Sequence, residues 1–197
     1  MHILAFADLH ANKRHLEQIR QKALKADLVV CAGDISLMGS QQKAMVDALD
    51  GMGKIVLMIP GNHEHPPNLE KDCAGKKNIR YIHRKVYWHD KLHVIGWGDG
   101  GFARHDPEFE QYAVAMMKRI KDAPLITVFH GPPFKTTLDH IDGKHVGNKS
   151  YRAFIEKHQP HLTICGHIHE TAKSTDRIGR TLIVNPGPDG MLLKLDI

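Results

Sequence analysis

The sequence predicts an α/β protein, in one domain over 1–197, built on a mixed sheet or two sheets rather than one doubly wound parallel sheet. Three observations carry this. Short apolar runs alternate with amphipathic helical windows through most of the chain, the pattern of strands joined by crossover helices. The closing segment changes character and reads as hairpins. A length of 197 residues suits one domain with a sizeable core.

Strand candidates, in order, are Ile3–Ala7, Leu28–Cys31, Ile55–Ile59, Val94–Trp97, Leu125–Phe129 and Leu162–Cys165. Helical windows lie between them at about Lys13–Lys25, Gln41–Gly51, Glu108–Lys121 and Ser150–His158. In the first window Leu16, Ile19 and Leu24 form the apolar stripe expected at helical spacing, although Ala23 and Lys25 blur it. Ala172–Ile178, Arg180–Val184 and Met191–Asp196, punctuated by Gly179 and by Asn185-Pro186-Gly187-Pro188, read as hairpin strands. There is no internal repeat, low-complexity tract or interdomain linker. The segment Gly131–Lys149, rich in Pro, Gly, His and Asp, is long for a structureless loop, and loops of that length are commonly functional.

Composition narrows the function classes. Apolar residues make up 42% and charged residues 25%, ordinary for a globular protein. The longest apolar runs, such as Lys54–Pro60, span a strand and not a bilayer. The N-terminus meets Asp8 too soon for a signal peptide. The expectation is a soluble, cytoplasmic protein without a membrane partner. Cys31, Cys73 and Cys165 share no metal-binding spacing, and two of them sit in apolar runs as small buried hydrophobes, consistent with a reducing compartment. The formal charge of +5 favours encounter with anionic substrates. The basic residues are interspersed with acids, as in Lys118-Arg119-Ile120-Lys121-Asp122, which suits a solvated helix face better than a phosphate track.

The 16 histidines matter through their placement. Five strand-like runs end in ligand-capable residues. Ile-Leu-Ala-Phe-Ala leads to Asp8-Leu9-His10, and Val-Val-Cys-Ala-Gly to Asp34. Val-Leu-Met-Ile-Pro-Gly leads to Asn62-His63-Glu64, Ile-Thr-Val-Phe to His130, and Thr-Ile-Cys-Gly to His167-Ile168-His169. Carboxyl ends of neighbouring strands, about 4.8 Å apart, converge on one crevice. Gly33, Gly61 and Gly166 precede three of these residues and allow sharp turns or close approach. The i, i+2 pairs Asp8/His10 and His167/His169 are expected to share a face of extended backbone. Mixed imidazole and carboxylate donors suit Mn, Fe, Co, Ni or Zn better than an all-oxygen site, and one carboxylate can bridge two ions about 3.5–4 Å apart.

These elements, D-x-H, G-D, G-N-H-[DE], H and G-H-x-H in that order over residues 8 to 169, resemble the calcineurin-like metallophosphoesterase family. The stretches His130-Gly131-Pro132-Pro133, Gly143-Lys144-His145-Val146-Gly147 and Cys165-Gly166-His167-Ile168-His169-Glu170 resemble its small phosphodiesterase-like branch. The resemblance implies a four-layer αββα sandwich of two mixed β-sheets flanked by helices. It implies two divalent transition-metal ions, Mn favoured, with Asp8, His10 and His169 on one and Asn62, His130 and His167 on the other. Asp34 would bridge both ions together with a water or hydroxide that attacks in line. His63 would stay off the metals, face the phosphate and protonate the leaving oxygen. The acid and arginine that protein phosphatases of this family carry soon after G-D are absent from Ile35-Ser36-Leu37-Met38-Gly39-Ser40. Protein phosphatase activity is therefore not expected, and what orients His63 is left open.

Each ligand taken singly has a plainer reading, since Asp favours turns and helix caps and a lone histidine can be a satisfied core residue. Their recurrence in family order outweighs that. His65, by adjacency, and Lys144 and His145, in the long segment, are the further candidates for substrate contact beside Asn62 and His63. Trp97-Gly98-Asp99-Gly100-Gly101 reads as a site rim or a tight turn, and Met116-Met117 as helix core. The expected function is hydrolysis of a phosphodiester or phosphomonoester, on a small or nucleotide-type substrate. The rivals are a non-catalytic scaffold of the same fold and a nuclease acting on nucleic-acid ends. Intact ligands weigh against the first. The lack of an aromatic-basic strand-binding groove weighs against the second. A homo-oligomer is compatible with the sequence.

Overall fold

The computed structural model describes residues 1–89, 91–120 and 123–196. Lys121 and Asp122, at the end of the third helical window and of the mixed-charge run, lie outside the described residues. In chain order the elements are β1 (His2–Phe6), α1 (Lys13–Ala23), β2 (Leu28–Cys31), α2 (Gln42–Asp50), β3 (Val56–Met58), α3 (Pro66–Cys73) and β4 (Ile79–Tyr81). They continue with β5 (Lys85–His89), β6 (Leu92–Trp97), α4 (Pro107–Met117), β7 (Leu125–Phe129), β8 (His140–Ile141), β9 (Lys144–His145) and α5 (Lys149–His158). The chain closes with β10 (Leu162–Ile164), β11 (Thr175–Ile178), β12 (Thr181–Val184) and β13 (Met191–Lys194).

Two mixed sheets form the centre, one ordered β13-β1-β2-β3-β4 and the other β11-β12-β10-β7-β6-β5. β1, β2, β3 and β4 run parallel and β13 antiparallel to β1. In the second sheet β6, β7, β10 and β12 are parallel, with antiparallel edges β5 and β11. Strand periodicity sorts the side chains into layers. Ile3, Ala5 and Ala7 with Leu28 and Val30 pack against Val94, Ile126, Val128 and Ile164 between the sheets. Leu4, Phe6, Val29 and Cys31 face the other way, against Ile19 of α1, Val46 and Leu49 of α2 and Leu69 of α3. Ile95, Trp97 and Phe129 pack against Phe109 and Met116 of α4 and Phe154 of α5. The result is the four-layer αββα sandwich, with helices α1, α2 and α3 outside one sheet and α4 and α5 outside the other.

Helices α1, α4 and α5 start where side chains satisfy free amides. The Asn12 side chain accepts from the N–H groups of Arg14 and His15, Asp106 from Phe109, and Asn148 from Tyr151. α1 ends at Ala23, so Leu24 falls outside the stripe and is exposed at 71%, while Ala23 is buried in its place. All three cysteines are buried and free. Gly131–Lys149 is not a structureless loop. It carries the β8–β9 hairpin and is tied down at its base by Asp139, whose buried carboxylate accepts from the N–H groups of Lys135, Thr136 and Gly147.

Candidate functional site

The carboxyl ends of β1, β2 and β3 in one sheet and β7 and β10 in the other lie at the same end of the sandwich. The residues that follow them meet there. Asp8, His10 and His169 each offer a ligand atom within 4.8 Å of one another, and so do Asp34, His130 and His167. Asn62 joins the second group, its Oδ1 lying 3.0 Å from His130 Nε2. His10, Asp34 and His63 make a third overlapping group, so His63 borders the cluster rather than standing clear of it.

The backbone reaches this arrangement differently from the extended i, i+2 geometry expected. Asp8, His10, Ala11, Asp34 and His167 all have left-handed backbones, with φ between 46° and 71°. Each costs a non-glycine residue of order 1 kcal/mol, the strain that collects at functional sites. Hydrogen bonds from Asp8 N–H to Gly33 O (3.1 Å) and from His10 N–H to Asp34 O (3.0 Å) lock the first two turns together. The consequence for His167 and His169 is that they diverge, one into each group. Close approach explains two of the glycines: a Cβ on Gly61 would strike the Asp34 carboxylate, and one on Gly166 would lie 2.8 Å from Asp8 Oδ2.

The donor set suits metal ions. His10 Nδ1 lies 3.2 Å from Ser36 O and His130 Nδ1 2.8 Å from Ala32 O. A carbonyl partner places the ring proton at Nδ1 and leaves the Nε2 lone pair facing the cluster, the arrangement that fixes metal-binding histidines. His10 Nε2 then faces His169 Nε2 at 3.1 Å, and His167 Nε2 is buried with no hydrogen-bond partner among the described residues. Lone pairs crowded in this way call for a cation.

Without a cation the crowded charge is met by a proton on His130, which a bound metal would displace. Burial alone would raise Asp34, but the neighbouring His130, with Nε2 3.4 Å from Oδ2, holds it at about 2. Burial would lower His130, and Asp34 instead raises it to about 9. Burial, with the positive charge of His130, lowers His167 to about 4, which keeps it a neutral ligand. Burial raises Asp8, and the like charge of Asp34 adds to that.

His63 is oriented by a group that sequence reading left open. The Met38 N–H donates to His63 Nδ1 at 3.2 Å, and Met38 is held at φ 50° with its side chain 78% exposed. In place of an acid, a backbone amide sets this ring and puts its proton at Nε2, 3.9 Å from Asp34 Oδ2.

Sequence reading also gave Glu64 no role. It is buried and ties two loops together: Oε2 accepts from Asp34 N–H and Gly61 N–H, both at 2.9 Å, and Oε1 from Ser36 N–H (3.0 Å) and Ser36 Oγ–H (2.6 Å). Its place in G-N-H-E was the available signal. His15 is likewise drawn in, lining a cleft with Asp8, His10 and His169. Lys144 and His145 lie on β9. His145 Nδ1 bonds Asp139 Oδ1 at 2.6 Å, its ring stacks on His140, and its carbonyl accepts from Arg104. The clefts beside Asp8 and His63 are lined by other residues, among them His65. The Gly98–Phe102 turn is a site rim: the Phe102 ring centroid lies 4.3 Å from that of His167.

A family model described as calcineurin-like phosphoesterase matches residues 1–171. The protein TT1561 of Thermus thermophilus superposes with a TM-score of 0.79 at 20% identity, over 98% of this chain and 93% of that one. A dimetal phosphatase from Danio rerio gives 0.64 at 12% identity, over 93% and 86%. A purple acid phosphatase from yellow lupin gives 0.62 at 15% identity, over 100% of this chain and 46% of that one. At these identities the structural likeness speaks for the fold. No curated protein matches the chain.

Proposed function

Because this chain belongs to the calcineurin-like phosphoesterase family, a family of metal-dependent hydrolases, we propose that it is a dinuclear hydrolase of phosphodiesters or phosphomonoesters on small or nucleotide-type substrates. The observation that carries the reading is the pair of adjoining ligand groups, Asp8/His10/His169 and Asp34/His130/His167, with Nε2 of His10 and His130 freed toward them by backbone carbonyls. Asn62 would complete the second group, and Asp34 would bridge the two. The mixed N/O set suits Mn, Fe, Co, Ni or Zn, with Mn taken as the first choice. Two such ions would supply Lewis acidity at the phosphoryl group and lower the pKa of a bound water.

The chain's own contribution centres on His63. With Nδ1 accepting from Met38, the ring presents Nε2–H on the side of the cluster, where it would hydrogen-bond the departing oxygen and stabilise its developing charge. Asp34, held ionised, would offer its negative charge to both ions. Three free, buried cysteines suit a cytoplasmic setting. Nucleic acid is a less favoured substrate, and intact ligands weigh against a non-catalytic scaffold.

Elemental analysis of the Mn-saturated protein is expected to find two ions per chain, and one or none would refute the dinuclear reading. Asp34→Asn should lower occupancy most. His63→Ala should keep its metal and lose about 10²–10⁴-fold in turnover, less for substrates with good leaving groups. Loss of metal in that variant would make His63 a ligand.

A further inference from the structure

We propose that the groove running from His63 past Asp99 to Tyr112 binds the substrate's ester arm and takes an uncharged, ring-bearing, hydroxylated arm of the nucleoside type. This rests on the phosphoesterase reading and adds what lies beyond the phosphorus.

The groove is two clefts in line. The first, of about 440 Å³, is lined by Asn62, His63, His65 and Asp99. The second, of about 600 Å³, shares His65, Pro66 and Asp99 with the first and extends to Tyr81, His83 and Tyr112. One wall is therefore the residue proposed to face the leaving oxygen, and the far end is aromatic. Tyr112 is 41% exposed and its ring is backed by Trp97 at 5.5 Å, which makes it a rigid platform on which a flat ring can stack.

Charge decides which arm fits. Arg84 and Lys85 line the second cleft, but each is already paired, Arg84 Nη2 with Glu108 at 2.6 Å and Lys85 Nζ with Glu70 at 2.7 Å. His83 is neutral, since burial and the adjacent Arg84 lower it to about 4, and its Nδ1 accepts from Gly98 N–H at 2.8 Å. Asp99 stands at the junction of the clefts with no cation paired to it among the described residues. It is held at φ 66° by its N–H on Pro60 O (3.0 Å), and its Oδ1 accepts from Gly100 N–H at 2.8 Å. A carboxylate fixed there repels an anionic arm such as a phosphate chain and accepts hydrogen bonds from hydroxyls. A left-handed non-glycine residue at a cleft junction is also the kind of strain that function retains.

The test uses the Mn-loaded protein and three methyl phosphodiesters, all with primary-alcohol leaving groups. Their other arms are glycerol, uridine joined through its 5′-oxygen, and the same uridine bearing a 3′-phosphate. Release of methyl phosphate is followed by chromatography. The uridine ester should exceed the glycerol ester in kcat/KM by about tenfold or more, the usual worth of one stacked base. The 3′-phosphate should cost about fivefold, as expected of an exposed like-charge contact. Tyr112→Ala should collapse the first ratio and Asp99→Asn the second. Both side chains are exposed, and Asn tolerates the left-handed backbone. Ratios near one in the unaltered protein, or ratios untouched by both substitutions, overturn the inference. If bis-p-nitrophenyl phosphate is hydrolysed while the ratios are flat, the phosphoesterase reading survives and this one falls. If no phosphoester is hydrolysed, both fall.

Discussion

Glu64→Gln is the most informative single change, because it alters one buried atom and leaves every proposed ligand in place. The glutamate accepts four hydrogen bonds, two on each oxygen. Glutamine must point its NH₂ at one of these pairs. The cheaper choice is toward Ser36, whose hydroxyl can rotate to accept, but the Ser36 N–H is then orphaned at a cost of about 1–3 kcal/mol. The two bonds on the other side, from Asp34 N–H and Gly61 N–H, lose their charge assistance, about 1 kcal/mol each. The sum is about 3–5 kcal/mol. For a domain of this size that corresponds to a fall in Tm of about 6–20 °C. Because Glu64 also fixes the loops carrying Asp34 and Asn62, Mn affinity should fall about 10–100-fold, the usual loss when an outer-shell partner is changed. Thermal unfolding by near-UV circular dichroism with and without Mn, together with an Mn titration, measures both. A Tm within about 2 °C of the unaltered protein, with Mn affinity unchanged, would refute the reasoning.

Two further outcomes follow from the same geometry. The metal-free protein should be most stable near pH 6.5. Below that, His83 and His167, each lowered to about 4, bind fewer protons folded than unfolded, so stability falls as pH falls. Above it, His130, raised to about 9, binds more protons folded than unfolded, so stability falls as pH rises toward 9. Saturation with Mn should abolish the alkaline limb, since a ligating imidazole has already given up that proton. A limb that persists in Tm measurements on the metal-loaded protein would remove His130 from the ligand set. Gly166→Ala should force apart the turns of Asp8 and His167, since the new Cβ would meet the Ala7 Cβ first and lie 2.8 Å from Asp8 Oδ2, and leave one of two ions weakly held. Two ions held as tightly as before would show that the turn can give way.

What could be read from the chain alone was whatever neighbouring residues encode. Apolar runs such as Ile3–Ala7 and Leu125–Phe129 are local patterns, and the strands β1 and β7 formed from them sit where they were expected. Short or weakly patterned elements were illegible. Ile79-Arg80-Tyr81 and Lys85–His89 carry little alternation, because they are edge strands with one side open and so need little apolar surface. Leu24 was placed in a stripe because spacing does not reveal where a helix stops. The centre itself was legible as a set of residues and not as a geometry. His10 and His169 are 159 residues apart, and only the facing of two sheets brings their Nε2 atoms to 3.1 Å. The same packing gives His63 a backbone amide for an orienting partner and makes Glu64 tie the loop of Asp34 to that of Asn62. Hydrogen bonds of that kind depend on where backbone amides end up in space, and the chain carries no local mark of that until the sheets have closed on one another.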